Sequence, residues 1–426
     1  MSSSWSMRRR MWCRKRPRGR HGAEGRASTD EPIRDLELEE DEEVDQMGVV
    51  GGDSSAYLVA CNSDWAFSSQ PCRVYKMVDS GSDAPSPGKR PNRLGRVKRL
   101  KPLGHVKTTV AAGKVFIPVR SRSWIVGVGG DKADTVIFDT KTEVVIQGPN
   151  PKSAKWCPVL TTVGDKVYAM SKNPSWISDP DFPPWFEVLD LSNASVVATD
   201  AGNAHLELKG CSWKELPHPP CFPWELTPFR YTTMLPLVIT VSYVVVGLYI
   251  LLSFNQPDWG TWAFDTSSDK WHKVDDKRLP FVGRATHHAG SIFLGVSSHK
   301  KNGPITAYRI HVEKDHAHLK LSITVLPVKY LEDEVVDDAG SCFSSLDSAH
   351  FCSVSPSVDS HGYTHEPQYS GLNVILKTYQ IEDPSLLETS EETVKWIAIS
   401  NQSKQVLKIS SSNHGFTPLA FALLSV

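Results

Sequence analysis

The chain of 426 residues carries 47 Lys and Arg against 48 Asp and Glu, a formal net charge of −1, and 40% of it is hydrophobic. That balance excludes a global electrostatic pull toward nucleic acid or a membrane surface and leaves apolar side chains enough for a substantial core. The length suits one large all-β domain or two average ones.

The chain opens on two opposite charge blocks, "RRRMWCRKRPRGR" (8–20) and "DLELEEDEEVD" (35–45). Blocks of this kind bury too little apolar surface to offset chain entropy, so residues 1–52 are expected to be disordered. The basic start, nearly acid-free through residue 29, reads as a solvated tail, a nuclear import cluster or an organelle transit peptide. No apolar segment follows it in the manner of a secretory signal. The eight cysteines form no CxxC pair and read as free thiols in a reducing compartment. The expected address is therefore cytoplasmic or nuclear, with plastid or mitochondrion as the alternative.

Beyond residue 52 short apolar runs alternate with Gly, Pro, Asn, Asp and Ser clusters, the pattern of an all-β chain. Residues 54–78 hold the first strands. "KTTVAAGKVFIPV" (107–119) reads as strand, turn at Gly113, strand; "VIFDTKTEVVIQGPNP" (136–151) adds Asp139 after an apolar run and a Pro/Gly exit. The order restarts in 158–172, with a turn at Gly164-Asp165. Residues 185–197 place Asp190 as Asp139 was placed, and "CSWKELPHPPC" (211–221) supplies Trp213 and another Pro-rich exit.

"MLPLVITVSYVVVGLYILLSF" (234–254) is uncharged and long enough to span a bilayer. Pro236, Gly247 and its wealth of Val, Ile, Thr and Tyr instead favour two buried strands turning at Gly247. Then "GTWAFDTSSDKWHKVDDKRLPF" (260–281) brings Asp265, Trp271 and the exit Leu279-Pro280. A further cycle occupies 285–297 and 305–327. The last runs from 340–355 through 373–381 and ends in 415–423.

Each cycle holds about four strands in roughly 45 to 75 residues, the period of propeller blades. A single blade cannot bury both faces of its sheet, so neighbours must stack on it. The expected fold is all-β: a β-propeller of five to seven blades over residues 53–424, after the disordered segment 1–52.

An apolar run, Asp, five residues and Trp, preceded by a strand–Gly–strand hairpin, resembles the kelch repeat. "GTWAFDTSSDKWHKV" fits best; elsewhere the repeat is degenerate, its paired glycines present only as Gly129-Gly130 and out of place. The body also looks like an uncharacterised, cereal-type plant family of kelch-like proteins carrying a domain of unknown function. Arg8 to Arg10, the segment Phe264 to Phe281 and the ending Phe416 to Phe421 carry that likeness. It implies a degenerate kelch-like propeller and no established activity.

Asp139, Asp190 and Asp265 are read as structural blade positions, bonding backbone amides of the following turn. Trp213 and Trp271 are read as inter-blade packing. His311, His316, His318, His361 and His365 are read as solvated, since a metal site needs more convergent ligands. The copper radical oxidases of this galactose oxidase-like fold need Tyr and His ligands in a secreted context, and the iron motif of the nitrile-forming specifier proteins does not occur. There is no P-loop, nucleophile elbow or dinucleotide fingerprint. No catalytic residue, metal or cofactor is nominated, and the chain is read as non-enzymatic. A small-molecule enzyme using the central pocket is the alternative.

The function expected is a protein-interaction platform with an unknown protein partner, monomeric, without nucleic acid or membrane insertion. The aromatic, Pro-rich loops 171–185 and 219–231 supply the candidate contacts Trp176, Phe182, Trp185, Phe222, Trp224 and Arg230, residue types of interface hot spots. The competing reading packs these loops across the ring as plugs.

Overall fold

Among the described residues of the computed structural model strands predominate and no α-helix occurs. Described are residues 55–61, 72–78, 98–106, 113–130, 133–174, 183–199, 205–222, 238–298, 305–315, 318–330, 342–357, 372–383, 396–409 and 420–426. All of them fall in the unit Gly51–Val426. The expectation of disorder for residues 1–52 lies outside them.

In chain order, β1 (Ala56–Cys61) pairs antiparallel with β2 (Cys72–Val78). β3 (Lys98–Leu100) leaves this sheet, and β4 (Gly104–Val106) extends it along β2. A second antiparallel unit is β5 (Lys114–Val119), β6 (Trp124–Gly129), β7 (Asp134–Asp139) and β8 (Val145–Gln147). The third runs β9 (Val159–Val163), β10 (Lys166–Met170) and β11 (Phe186–Asp190). It departs into a hairpin, β12 (Ser195–Thr199) and β13 (His205–Lys209), before β14 (Trp213–Glu215) returns to pair with β11. β13 lies parallel to β8 of the preceding unit.

The fourth unit is β15 (Thr240–Val246), β16 (Tyr249–Phe254), β17 (Thr261–Asp265) and β18 (Lys270–Asp275). The fifth is β19 (Phe281–Ala289), β20 (Ile292–Ser297), β21 (Ile305–Asp315) and β22 (His318–Tyr330). The sixth is β23 (Cys342–Ser345), β24 (His350–Ser357), β25 (Leu372–Ile381) and β26 (Ile397–Ile409). β3 joins this unit, parallel to β26.

The last strand, β27 (Ala420–Ser425), does not extend the sixth unit. It pairs antiparallel with β1, from Ala56↔Ser425 to Cys61↔Ala420, and so completes the first. This corrects the assignment of 415–423 to the final cycle. The innermost strands touch in succession, β27 to β5, β9, β15, β19, β23 and back to β27. The ring is thus closed by pairing the first described strand with the last, and the fold is an all-β propeller.

The core has the same circular logic. Because strand side chains alternate, each unit presents one apolar set to either neighbour. Leu58 packs with Val354 and Leu376 of the sixth unit, whereas Tyr57 and Val59 pack with Ile125 and Phe138 of the second. The remaining four apolar clusters likewise join the second to third, third to fourth, fourth to fifth and fifth to sixth units.

The stretch 234–254 is strand in its described part. β15 and β16 pair across Gly247, whose φ of +56° is the left-handed conformation that a tight turn needs. No helix among the described residues is long and apolar enough to cross a membrane. Cys72 is disulfide-bonded, which corrects the reading of all eight cysteines as free thiols.

Candidate functional site

Each turn aspartate caps the residues just after it. Asp139 Oδ1 accepts from Lys141 N at 2.8 Å and Thr142 N at 3.2 Å; Asp190 Oδ1 accepts from Ser192 N at 3.0 Å and its Oγ at 2.6 Å. Asp265 Oδ1 accepts from Ser267 N at 2.9 Å and its Oγ at 2.6 Å, and its Oδ2 from Ser268 Oγ at 2.8 Å. Burial pushes the Asp265 carboxyl up, but these hydrogen bonds outweigh it and hold the pKa below the ordinary value.

The outer-strand tryptophans tie one unit to the previous one. Trp213 on β14 donates through Nε1 to Pro149 O at 2.9 Å and Thr135 Oγ1 at 3.1 Å in the second unit. Trp271 on β18 donates to Pro217 O at 2.7 Å, beyond the third. The exit prolines Pro149 and Pro217 therefore end the second and third units with a carbonyl that the next unit's indole reaches. These groups are satisfied, and they hold the ring rather than a ligand.

Two of the six aromatic-loop candidates fall among the described residues. Trp185 and Phe222 are 2% and 1% exposed, with ring centroids 5.7 Å apart at 73°, and Phe222 meets Phe254 of the fourth unit at 5.5 Å. They belong to the core between the third and fourth units, which corrects their reading as surface contacts. Large aromatic rings gain more from this burial than from exposure. Trp176, Phe182, Trp224 and Arg230 lie outside the described residues.

His311 and His318 are exposed; His316, His361 and His365 lie outside the described residues. No group of three His, Cys, Asp or Glu that could hold a metal ion stands together among the described residues. A cleft of about 170 Å³ opens between β17–β18 and β21–β22, where Lys270, His272, Lys314 and His318 gather near the capped Asp265.

The surface feature that the loop candidates missed is the β12–β13 hairpin. Its base is fixed: Leu206 and Leu208 of β13 pack on the core between the second and third units. Arg122 donates to Ala194 O at 3.1 Å and Ser192 O at 2.7 Å just before β12. β12 itself pairs only with β13, and no strand among the described residues covers its far edge. Val196 and Val197 are 41% and 43% exposed. Consecutive strand residues point to opposite faces, so both faces of this edge reach solvent. Ser195–Thr199, "SVVAT", has no charge and no proline, the devices by which edges are ordinarily blunted.

A comparison with curated protein sequences gives no match. Among solved structures, similarity is found to a Bacteroides fragilis protein assigned as a 6-phosphogluconolactonase, at 11% identity over 88% of this chain and 98% of that one, with a TM-score of 0.38. Similarity is also found to the β-propeller domain of Cps50 (Swd1) of Myceliophteria thermophila, at 12% identity over 63% of this chain and 84% of that one, with a TM-score of 0.26. The propeller assignment rests on the strand pairing, ring closure and inter-unit cores above. The family profile "Protein of unknown function (DUF1668)" matches residues 53–405, from the first unit into the last strand of the sixth, and the chain belongs to that family.

Proposed function

We propose that this propeller is a non-enzymatic protein-interaction platform of kelch-like type, and that it docks its partner on the open edge of β12. The observation that supports this reading is an uncharged edge strand with two exposed valines, held out on a firmly anchored hairpin. An edge of this kind offers unpaired backbone N–H and C=O groups to an extended segment, which adds as one more strand. Backbone pairing supplies affinity and the two valines supply apolar contact. The partner segment is accordingly extended and apolar rather than strongly charged.

The test compares the wild-type protein with the double variant Val196→Lys, Val197→Lys in affinity purification from cell extract after mild cross-linking. Both side chains are more than two-fifths exposed, so the variant should keep its melting temperature. A partner that is cross-linked to residues 195–199 in the wild type and absent from the variant supports the reading. A partner retained equally by both overturns it.

A further inference from the structure

The six strands around the ring axis, β27, β5, β9, β15, β19 and β23, contain no Asp or Glu. Their two permanent cations are Lys114 and Arg284. Lys114 is neutralised, its Nζ donating to Asp134 Oδ1 at 2.6 Å and Asp134 O at 3.0 Å. Arg284 has no such partner among the described residues, and its neighbour Tyr243 is a phenol whose proton is held on by burial. The two are register partners across the parallel pairing of β15 with β19.

A second guanidinium comes near that of Arg284. Arg120, in the turn after β5, donates to Ser425 Oγ at 2.6 Å and Ser425 O at 3.3 Å at the end of β27. It stands close enough to Arg284 for the two charges to repel. Arg120 keeps solvent access although the surrounding protein desolvates it. His287 stands near Arg120 and is held by Gly290 O at 2.8 Å, with burial and then Arg120 lowering its pKa, so it is neutral at pH 7.

Two like charges within repelling range, with no counter-ion among the described residues, raise the energy of the folded chain. Such an arrangement persists where a bound ligand supplies the missing charge. Two forked guanidinium donors and a phenol O–H, beside six inner strands that carry no carboxylate, form a donor set matched to an oxyanion.

We propose that the axial channel is a binding site for a small ligand bearing a phosphate or carboxylate group, gripped by Arg284 and Tyr243 with Arg120 at the mouth. Isothermal titration of the full chain with inorganic phosphate, and separately with succinate, at constant ionic strength set by sodium chloride, tests this and distinguishes the two oxyanions. Saturable binding of one of them is expected. Arg284→Gln should weaken it at least about tenfold, since charge-assisted bonds to the anion are lost. Tyr243→Phe should weaken it less, about threefold, as one neutral donor goes. Without anion, Arg284→Gln should melt no lower than wild type, because it removes an uncompensated charge, which separates lost binding from lost fold. Absence of saturable binding by either oxyanion, or an unchanged affinity in Arg284→Gln, would overturn the proposal.

Discussion

Glu187 and Lys155 form an ion pair whose side chains are both fully buried, between β11 and the segment that joins the second unit to the third. Glu187 Oε1 also accepts from Lys152 N at 2.8 Å, and Lys155 Nζ also reaches Ser153 Oγ at 3.1 Å. Glu187→Gln keeps an oxygen for Lys152 N but leaves the ammonium of Lys155 buried without its counter-charge, at a cost of about 3–5 kcal/mol. Lys155→Met strands the carboxylate at a similar cost. The double variant buries no charge and retains the amide acceptor, so it should lie within about 2 kcal/mol of wild type. The sum of the single effects should exceed the double by at least about 2 kcal/mol. Urea unfolding at pH 7, followed by tryptophan fluorescence, measures all four corners of this cycle. Additive single effects, or a neutral Glu187→Gln, would refute the reasoning, because either would mean that water screens the pair.

Three other perturbations probe different parts of the ring. His288 is buried, with Nδ1 accepting from Ser345 Oγ and Nε2–H donating to Ser348 O, each at 3.0 Å, and burial pushes its pKa down from 6.5 to about 4. The unfolded chain binds this proton first as pH falls, so stability should drop from pH 6.5 to 4 by about 1.4 kcal/mol per unit, about 3 kcal/mol in all. His288→Gln should flatten that slope in urea midpoints measured against pH, and an unchanged slope counts against the assignment. Trp213→Phe keeps the buried ring but strands Pro149 O and should cost about 1–2 kcal/mol; the more exposed Trp271→Phe should cost less, and the reverse order in unfolding midpoints would contradict the unit-to-unit role. Truncation after residue 419 removes β27 with its buried Leu423 and Leu424, opens the edge of β1 and should abolish cooperative unfolding; a peptide of residues 420–426 added in trans should restore it. A truncated chain that melts like the full one would disprove closure through β27.

Local regularities in the sequence carried most of the ring. Alternation in 158–172 and 260–281, and Gly247 inside an uncharged run, mark hairpins because turn chemistry and side-chain period are local properties. Partnership between distant segments is not local. Nothing in "FTPLAFAL" says that its strand belongs to the start of the chain, since pairing with β1 depends on the ring closing. Residues 198–210 fall between the cycles read from the sequence, and the attachment of β13 to β8 of another unit is a tertiary fact. Trp185 and Phe222 show the converse error: a Pro-rich, aromatic stretch looks like an exposed loop until a neighbouring unit supplies Phe254 to cover it. Arg284 lies between the stretches 260–281 and 285–297 and belongs to no motif; only the absence of acids on the inner strands gives it meaning.

The central functional claim is most directly tested by hydrogen–deuterium exchange of the amides of Ser195–Thr199 in the free protein and in complex with a captured partner. Added strand pairing should slow exchange on β12 upon binding while leaving the amides of β27 and β1 as they were. Protection confined to other surfaces, with β12 exchanging equally fast in both states, would contradict docking at this edge.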